Sequence, residues 1–95
     1  MDLDSRPIVW LASNLKHIER DHPERAITRA DVEEVLADPR RSESIERRKG
    51  TEEHTVIGET SSGRLLVIVW VDHENGRLPI HARRAGRRAA KEYYE

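Results

Sequence analysis

Arginine and histidine crowd the end of this chain in a pattern that suits phosphate chemistry. Arg77, His81 and Arg83 stand at spacings of four and two. On an extended strand alternate residues share a face. Arg77, Pro79, His81 and Arg83 are therefore expected to point one way, with Leu78, Ile80 and Ala82 turned to the core. A guanidinium donates two hydrogen bonds to one phosphate at once. An imidazole, with a reference pKa of about 6.5, gives or takes a proton near neutrality. The alternation predicts that Arg77, His81 and Arg83 converge on one phosphate, unless a bulge at Pro79 breaks it. A solvated edge strand would carry the same charges without any task.

Further along, Arg84, Arg87, Arg88 and Lys91 repeat at helical spacing, with no acid before Glu92. They predict one basic stripe, fit for a nucleic-acid backbone, an acidic partner segment or plain solvation. Tyr94, near the end, is the candidate for base stacking. Trp10, Trp70 and Tyr93 read as core residues. His17 is either a proton carrier or a histidine hydrogen-bonded to Asp21 one turn later. His22 reads as a loop residue before Pro23, and His54 and His73 as surface residues.

No cofactor or metal is expected. There is no cysteine. His17 and His22 are five apart, off the helical ligand spacing, and no carboxylate cluster suggests a two-metal nuclease. No phosphate-binding glycine loop or nucleophile elbow is present.

These residues need a frame. A chain of 95 residues allows one domain, taken as 1–95, with a modest core. The last 19 residues hold 6 of the 17 Lys+Arg and only 2 of the 18 Asp+Glu, so a basic end follows an acidic body. The N-terminus lacks a signal-peptide pattern, and no apolar run approaches the roughly 20 residues of a membrane span. A cytoplasmic protein with no membrane partner is expected.

Residues 7–10 suggest a short first strand. Residues 13–21 suggest a helix with Leu11, Leu15 and Ile18 inward. Thr28 with Asp31 is a capping-box pattern, and Ile27 with Val32 a hydrophobic staple. The helix they start would bury Val32, Val35 and Leu36 and close at Asp38-Pro39. Strands are expected at 44–48, 53–60, 64–71 and 77–83. The run 65–71 is continuously apolar, so it should lie centrally with both faces covered. Asn75-Gly76 marks a hairpin turn, and Pro79 an edge strand or bulge. Residues 85–94 suggest a terminal helix packing through Ala85, Ala89 and Tyr93. The sum is an α+β domain: a short first strand, two helices, about four antiparallel strands and a C-terminal helix.

The segment from Gly58 through Ser61-Ser62-Gly63-Arg64 to Trp70 closely resembles the central hairpin of BrnT-like toxins. His81-Ala82-Arg83-Arg84-Ala85, with the Arg-rich segment up to Tyr93, resembles their C-terminal signature. Asn14-Leu15-Lys16-His17-Ile18 and the stretch from Asp31 to Pro39 resemble their first two helices. The similarity runs in order over about residues 8–95. The family usually has serine, threonine and glutamate where His81, Gly86 and Ala89 stand here.

The resemblance implies a RelE-like fold and a type II toxin: a metal-independent endoribonuclease that cleaves RNA, free or on the ribosome, and inhibits translation. It implies a cognate antitoxin, typically of ribbon-helix-helix type, and operator DNA bound only through that antitoxin. In such cleavage the RNA 2′-hydroxyl attacks the adjacent phosphate, which calls for a base, an acid and positive charge on the phosphate. Arg83, Arg77, His17 and His81 are the expected catalytic set. Arg64, Arg84, Arg87, Arg88, Lys91 and Tyr94 are the expected RNA contacts. The alternative is a non-catalytic module of the same fold, or a nucleic-acid-binding regulator, acting through a partner protein.

Overall fold

The computed structural model describes residues 6–95. Helix α1 spans Ala12–Glu19, followed by one 3-10 turn at Pro23–Arg25 and helix α2 at Arg29–Leu36. Strands β1 (Ser42–Arg48), β2 (Thr51–Glu59), β3 (Leu65–His73) and β4 (Gly76–Arg84) follow, and helix α3 (Arg87–Tyr94) ends the chain. The four strands form one antiparallel sheet in the order β1-β2-β3-β4. The domain is α+β, as the sequence pattern predicts.

β3 lies inside the sheet because both of its faces are apolar. Leu66, Ile68 and Trp70, all fully buried, face α1 and α2 together with Val56 of β2. Val67 turns to the opposite face, where it meets Ile57 beneath α3. α2 begins at the expected cap: the Thr28 N–H donates to Asp31 Oδ2 at 3.0 Å, and the Asp31 N–H donates to Thr28 Oγ1 at 3.3 Å. Val32, Val35 and Leu36 are buried beneath it. Gly58 of β2 lets α2 come close, since a Cβ there would stand 3.0 Å from both Val35 Cγ1 and the Val35 carbonyl oxygen.

Asp38 fastens α3 to this body. It accepts the Tyr93 hydroxyl at 2.6 Å and the backbone N–H groups of Glu59 and Arg40, each at 2.9 Å. Burial opposes its ionisation, but these hydrogen bonds outweigh burial and hold the carboxyl below its usual range. The same bond pushes the Tyr93 phenol up to about 12.

Three expectations change. Residues 7–10 form no full strand; they make a single parallel bridge, Ile8 to Arg77, at the outer edge of β4. The Val9 N–H donates to the Arg77 carbonyl at 2.7 Å, and the Arg77 N–H to the Pro7 carbonyl at 2.8 Å. Gly76 has a positive φ of 144°, and a Cβ there would collide with the Pro7 carbonyl. Leu11 is exposed, and Asn14 takes the inward place on α1. Arg84 and Ala85 precede α3, so the last helix starts two residues late, capped by Gly86.

Asn14 is buried because every polar atom has work. Its Oδ1 accepts the Leu11 N–H at 2.7 Å, and its Nδ2 donates to the carbonyls of Val9 (3.2 Å) and Pro79 (2.9 Å). It joins the entering segment, α1 and β4. Asn14→Ala should cost about 1–3 kcal/mol, since it strands buried polar groups. Urea unfolding of the variant checks this; a midpoint equal to wild type would show that the clamp carries no stability.

Candidate functional site

The site is built on the outer edge of β4, and a bulge decides its membership. Trp70 pairs with Pro79, but Val69 pairs with His81, so Ile80 is an extra residue in β4. An extra residue inverts the alternation. Pro79 and Arg77 stay on the face of Trp70, whereas His81 and Arg83 turn to the face of Val69 and Val67. Pro79, with no N–H to donate, sits beside this irregularity on an edge strand, as its chemistry requires.

The predicted convergence of Arg77 with His81 and Arg83 is therefore wrong. Arg77 is 6% exposed, and its Nε donates to the Arg6 carbonyl at 2.8 Å. It anchors the N-terminal segment at the far end of the strand and belongs to the architecture.

His81 and Arg83 acquire other companions. α1 presents His17, whose Nδ1 lies 3.2 Å from Asp21 Oδ2. Asp21 is held below the usual carboxylate range by hydrogen bonds from Lys16 and His17. The chain then turns at Pro23, which brings His22 back against His17, edge to face, with ring centroids 5.5 Å apart. The 3-10 turn carries Arg25 across to β4, where its guanidinium donates to the Ala82 carbonyl at 3.0 Å. Ala82 is the residue between His81 and Arg83.

His81 feels all of these groups. Its pKa is lowered from 6.5, first by burial, then by the charges of Arg25 and Arg83, and further by His17 and His22. His17, His22, Arg25 and Arg83 thus gather around the edge of β4 near His81, although α1 covers one face of the sheet and His81 and Arg83 turn to the other. The shift favours the neutral ring. The Asp21 carboxylate engages Nδ1 of His17 and leaves its Nε2 outside that bond.

Arg64, an expected RNA contact, has its guanidinium engaged within the fold beside this cluster. Its guanidinium donates to the carbonyls of Ala26 (2.8 Å) and Arg25 (2.9 Å) and reaches Asp31 at 3.4 Å. Ala26 adopts a left-handed φ of 52°, a strained conformation for a residue with a side chain. Arg64 clamps the two carbonyls at that turn and so fixes where His22 and Arg25 emerge.

A groove of about 340 Å³ adjoins the patch through Arg83. Its floor is Thr55, Ile57 and Val67, and its rim carries Arg83, Arg87, Arg88 and Glu92. Arg87, Arg88 and Lys91 are exposed on α3, as the basic stripe predicts. Arg84 lies on β4 instead and drops out of that stripe. Tyr94 is 65% exposed with its hydroxyl bonded to Glu59 at 2.9 Å, so its ring remains accessible.

Sequence reasoning missed His22 and Arg25. Their signal was local: a proline just after a histidine at a helix end folds the chain back onto the helix it leaves. His54 is also no simple surface residue; its ring stacks on Trp70 at 3.7 Å with the planes 7° apart. No protein-family model and no curated protein matches the chain. Among the described residues, no helix is long and apolar enough to cross a membrane.

The His81 shift has a definite sign. An imidazole whose folded value lies below that of the unfolded chain leaves the unfolded state to take up the proton first. Stability is therefore expected to fall as pH drops from about 6.5 toward the folded value. An NMR titration of the His81 ring should give a midpoint below 6.5, moved upward by Arg25→Ala and by Arg83→Ala. A midpoint at or above 6.5, indifferent to both changes, would dissolve the cluster.

Proposed function

We propose that this chain is a metal-independent endoribonuclease, the toxin component of a type II toxin–antitoxin pair. The observation that carries the reading is that Arg25 crosses to the Ala82 carbonyl, between His81 and Arg83, while His22 packs edge to face on His17; these charges lower the His81 pKa after burial does. Neutral His81 accepts the proton of an RNA 2′-hydroxyl as its oxygen attacks the adjacent phosphorus. Arg25 and Arg83 hold the phosphate oxygens and offset their growing charge. His17, oriented by Asp21, delivers a proton to the departing 5′-oxygen. The phosphorus–5′-oxygen bond breaks, leaving a 2′,3′-cyclic phosphate and a 5′-hydroxyl. The RNA strand continues past Arg83 along the groove, with its backbone on Arg87, Arg88 and Lys91 and a base against Tyr94.

The wider role follows from the family resemblance set out above. The enzyme acts in the cytoplasm on RNA, free or on the ribosome, and inhibits translation. A ribbon-helix-helix antitoxin restrains it and carries the pair to operator DNA. The basic face of α3 offers an acidic antitoxin segment a complementary surface.

Purified protein in excess chelator should cleave single-stranded RNA and leave DNA of the same sequence intact, since DNA lacks the attacking hydroxyl. His81→Gln should lower the rate about 10²–10⁴-fold, and Arg83→Ala should do so while the fold persists. RNA that survives intact, with and without ribosomes, would turn the reading toward a non-catalytic module.

A further inference from the structure

The opposite end of the sheet carries a second cluster that the nuclease reading does not use. Glu52 and His54 stand two apart on β2, and so on one face. His54 pairs with Trp70 of β3, which puts Asp72 on that same face one step further along. The ligand atoms of Glu52, His54 and Asp72 all lie within 4.8 Å of one another. All three are held by neighbouring strands rather than by a loop.

His54 is the telling member. Its side chain is only 12% exposed, and its ring is pinned flat against the Trp70 indole. Its Nε2 is buried and has no hydrogen-bond partner. The nearest carboxylate oxygen, Asp72 Oδ2, is 3.7 Å away. That is too long for a hydrogen bond. Two ligands of one tetrahedral zinc ion, each bonded at about 2.0–2.1 Å, stand about 3.3 Å apart. A small closing of the gap would satisfy an ion.

The carboxylates are already oriented. Arg6 holds Asp72 Oδ1 at 2.7 Å, which leaves Oδ2 turned to His54. Arg47 holds Glu52 Oε2 at 3.2 Å. Outer hydrogen bonds of this kind fix the direction of metal-binding carboxylates. One imidazole and two carboxylates suit a first-row divalent ion better than Mg²⁺ or Ca²⁺, which prefer oxygen alone.

We propose that Glu52, His54 and Asp72 form a structural site for Zn²⁺, with a water completing the coordination, that ties β2 to β3 at the end of the sheet remote from the histidine patch. The site is independent of the nuclease chemistry, so RNA cleavage in excess chelator and zinc binding stand or fall separately.

The test uses the full chain, stripped with chelator and titrated with ZnCl₂ by calorimetry, with thermal unfolding in parallel. One equivalent should bind and raise the unfolding temperature. His54→Gln and Asp72→Asn should each weaken binding about 100-fold or more. A His17→Gln/His22→Gln double variant, which removes the other histidine pair, should bind as wild type. Zinc should also move the His54 Nε2 resonance in the unmodified protein, a readout that survives if a variant fails to fold. Absence of saturable binding, binding that persists in both ligand variants, or binding abolished by the double variant would overturn the proposal. So would a His54 resonance that moves only with pH, which would make the pair an ordinary ion pair.

Discussion

The Asn14 side chain holds together the parts on which everything else depends. A buried amide must find partners for its oxygen and its N–H donors, or it destabilises the fold. Here the partners belong to three different pieces of chain: the entering segment at Val9, the first turn of α1 at Leu11, and β4 at Pro79. Satisfying one side chain therefore sets the position of α1 on the sheet edge. His17 lies three residues further along α1, and His81 two residues beyond Pro79. A packing requirement thereby sets how α1 sits against β4.

The bulge at Ile80 is the second constraint. Without it, β4 would carry Arg77, His81 and Arg83 on one face. With it, one strand serves two purposes. Its first half closes the core with Arg77 and Pro79, and its second half turns the half-buried His81 and the exposed Arg83 to the opposite face. Arg64 does for the 3-10 turn what Asn14 does for α1, trading its charge for two backbone carbonyls. The proposed site is thus framed by side chains, Asn14 and Arg64, whose hydrogen bonds go to backbone groups. The two proposed sites are then kept apart: imidazoles and guanidiniums at one end of β4, and the Glu52–His54–Asp72 group at the other end of the sheet.

Much of this frame was legible in the residues. The capping box and staple fixed the start of α2 because both are local patterns with local causes. The apolar run of β3 announced a strand covered on both faces. Pro79 announced an edge or a bulge, and both are present. What could not be read was whether β4 takes the edge or the bulge form, since alternation carries no information about where an extra residue falls; the structure puts it at Ile80 and so separates Arg77 from His81 and Arg83. Arg77 read as a phosphate ligand and Arg64 as an RNA contact; only the tertiary fold brings the backbone carbonyls that occupy them. His22 and Arg25 joined the site through a chain reversal whose direction depends on Arg64, some 40 positions later in sequence. Leu11 lost its inward place to Asn14 because three unsatisfied backbone groups converge there, a need invisible to hydrophobic periodicity.

The central claim is that a single RNA linkage sits between the α1 histidine and the β4 histidine. The most direct measurement is NMR of the histidine and arginine side chains while the protein is saturated with a 2′-deoxy-substituted RNA that binds but cannot be cut. The account predicts that the rings of His17 and His81 and the Arg83 guanidinium shift together with one binding constant, while Arg77 stays unmoved. Shifts confined to α3, with both imidazoles silent at saturation, would contradict it.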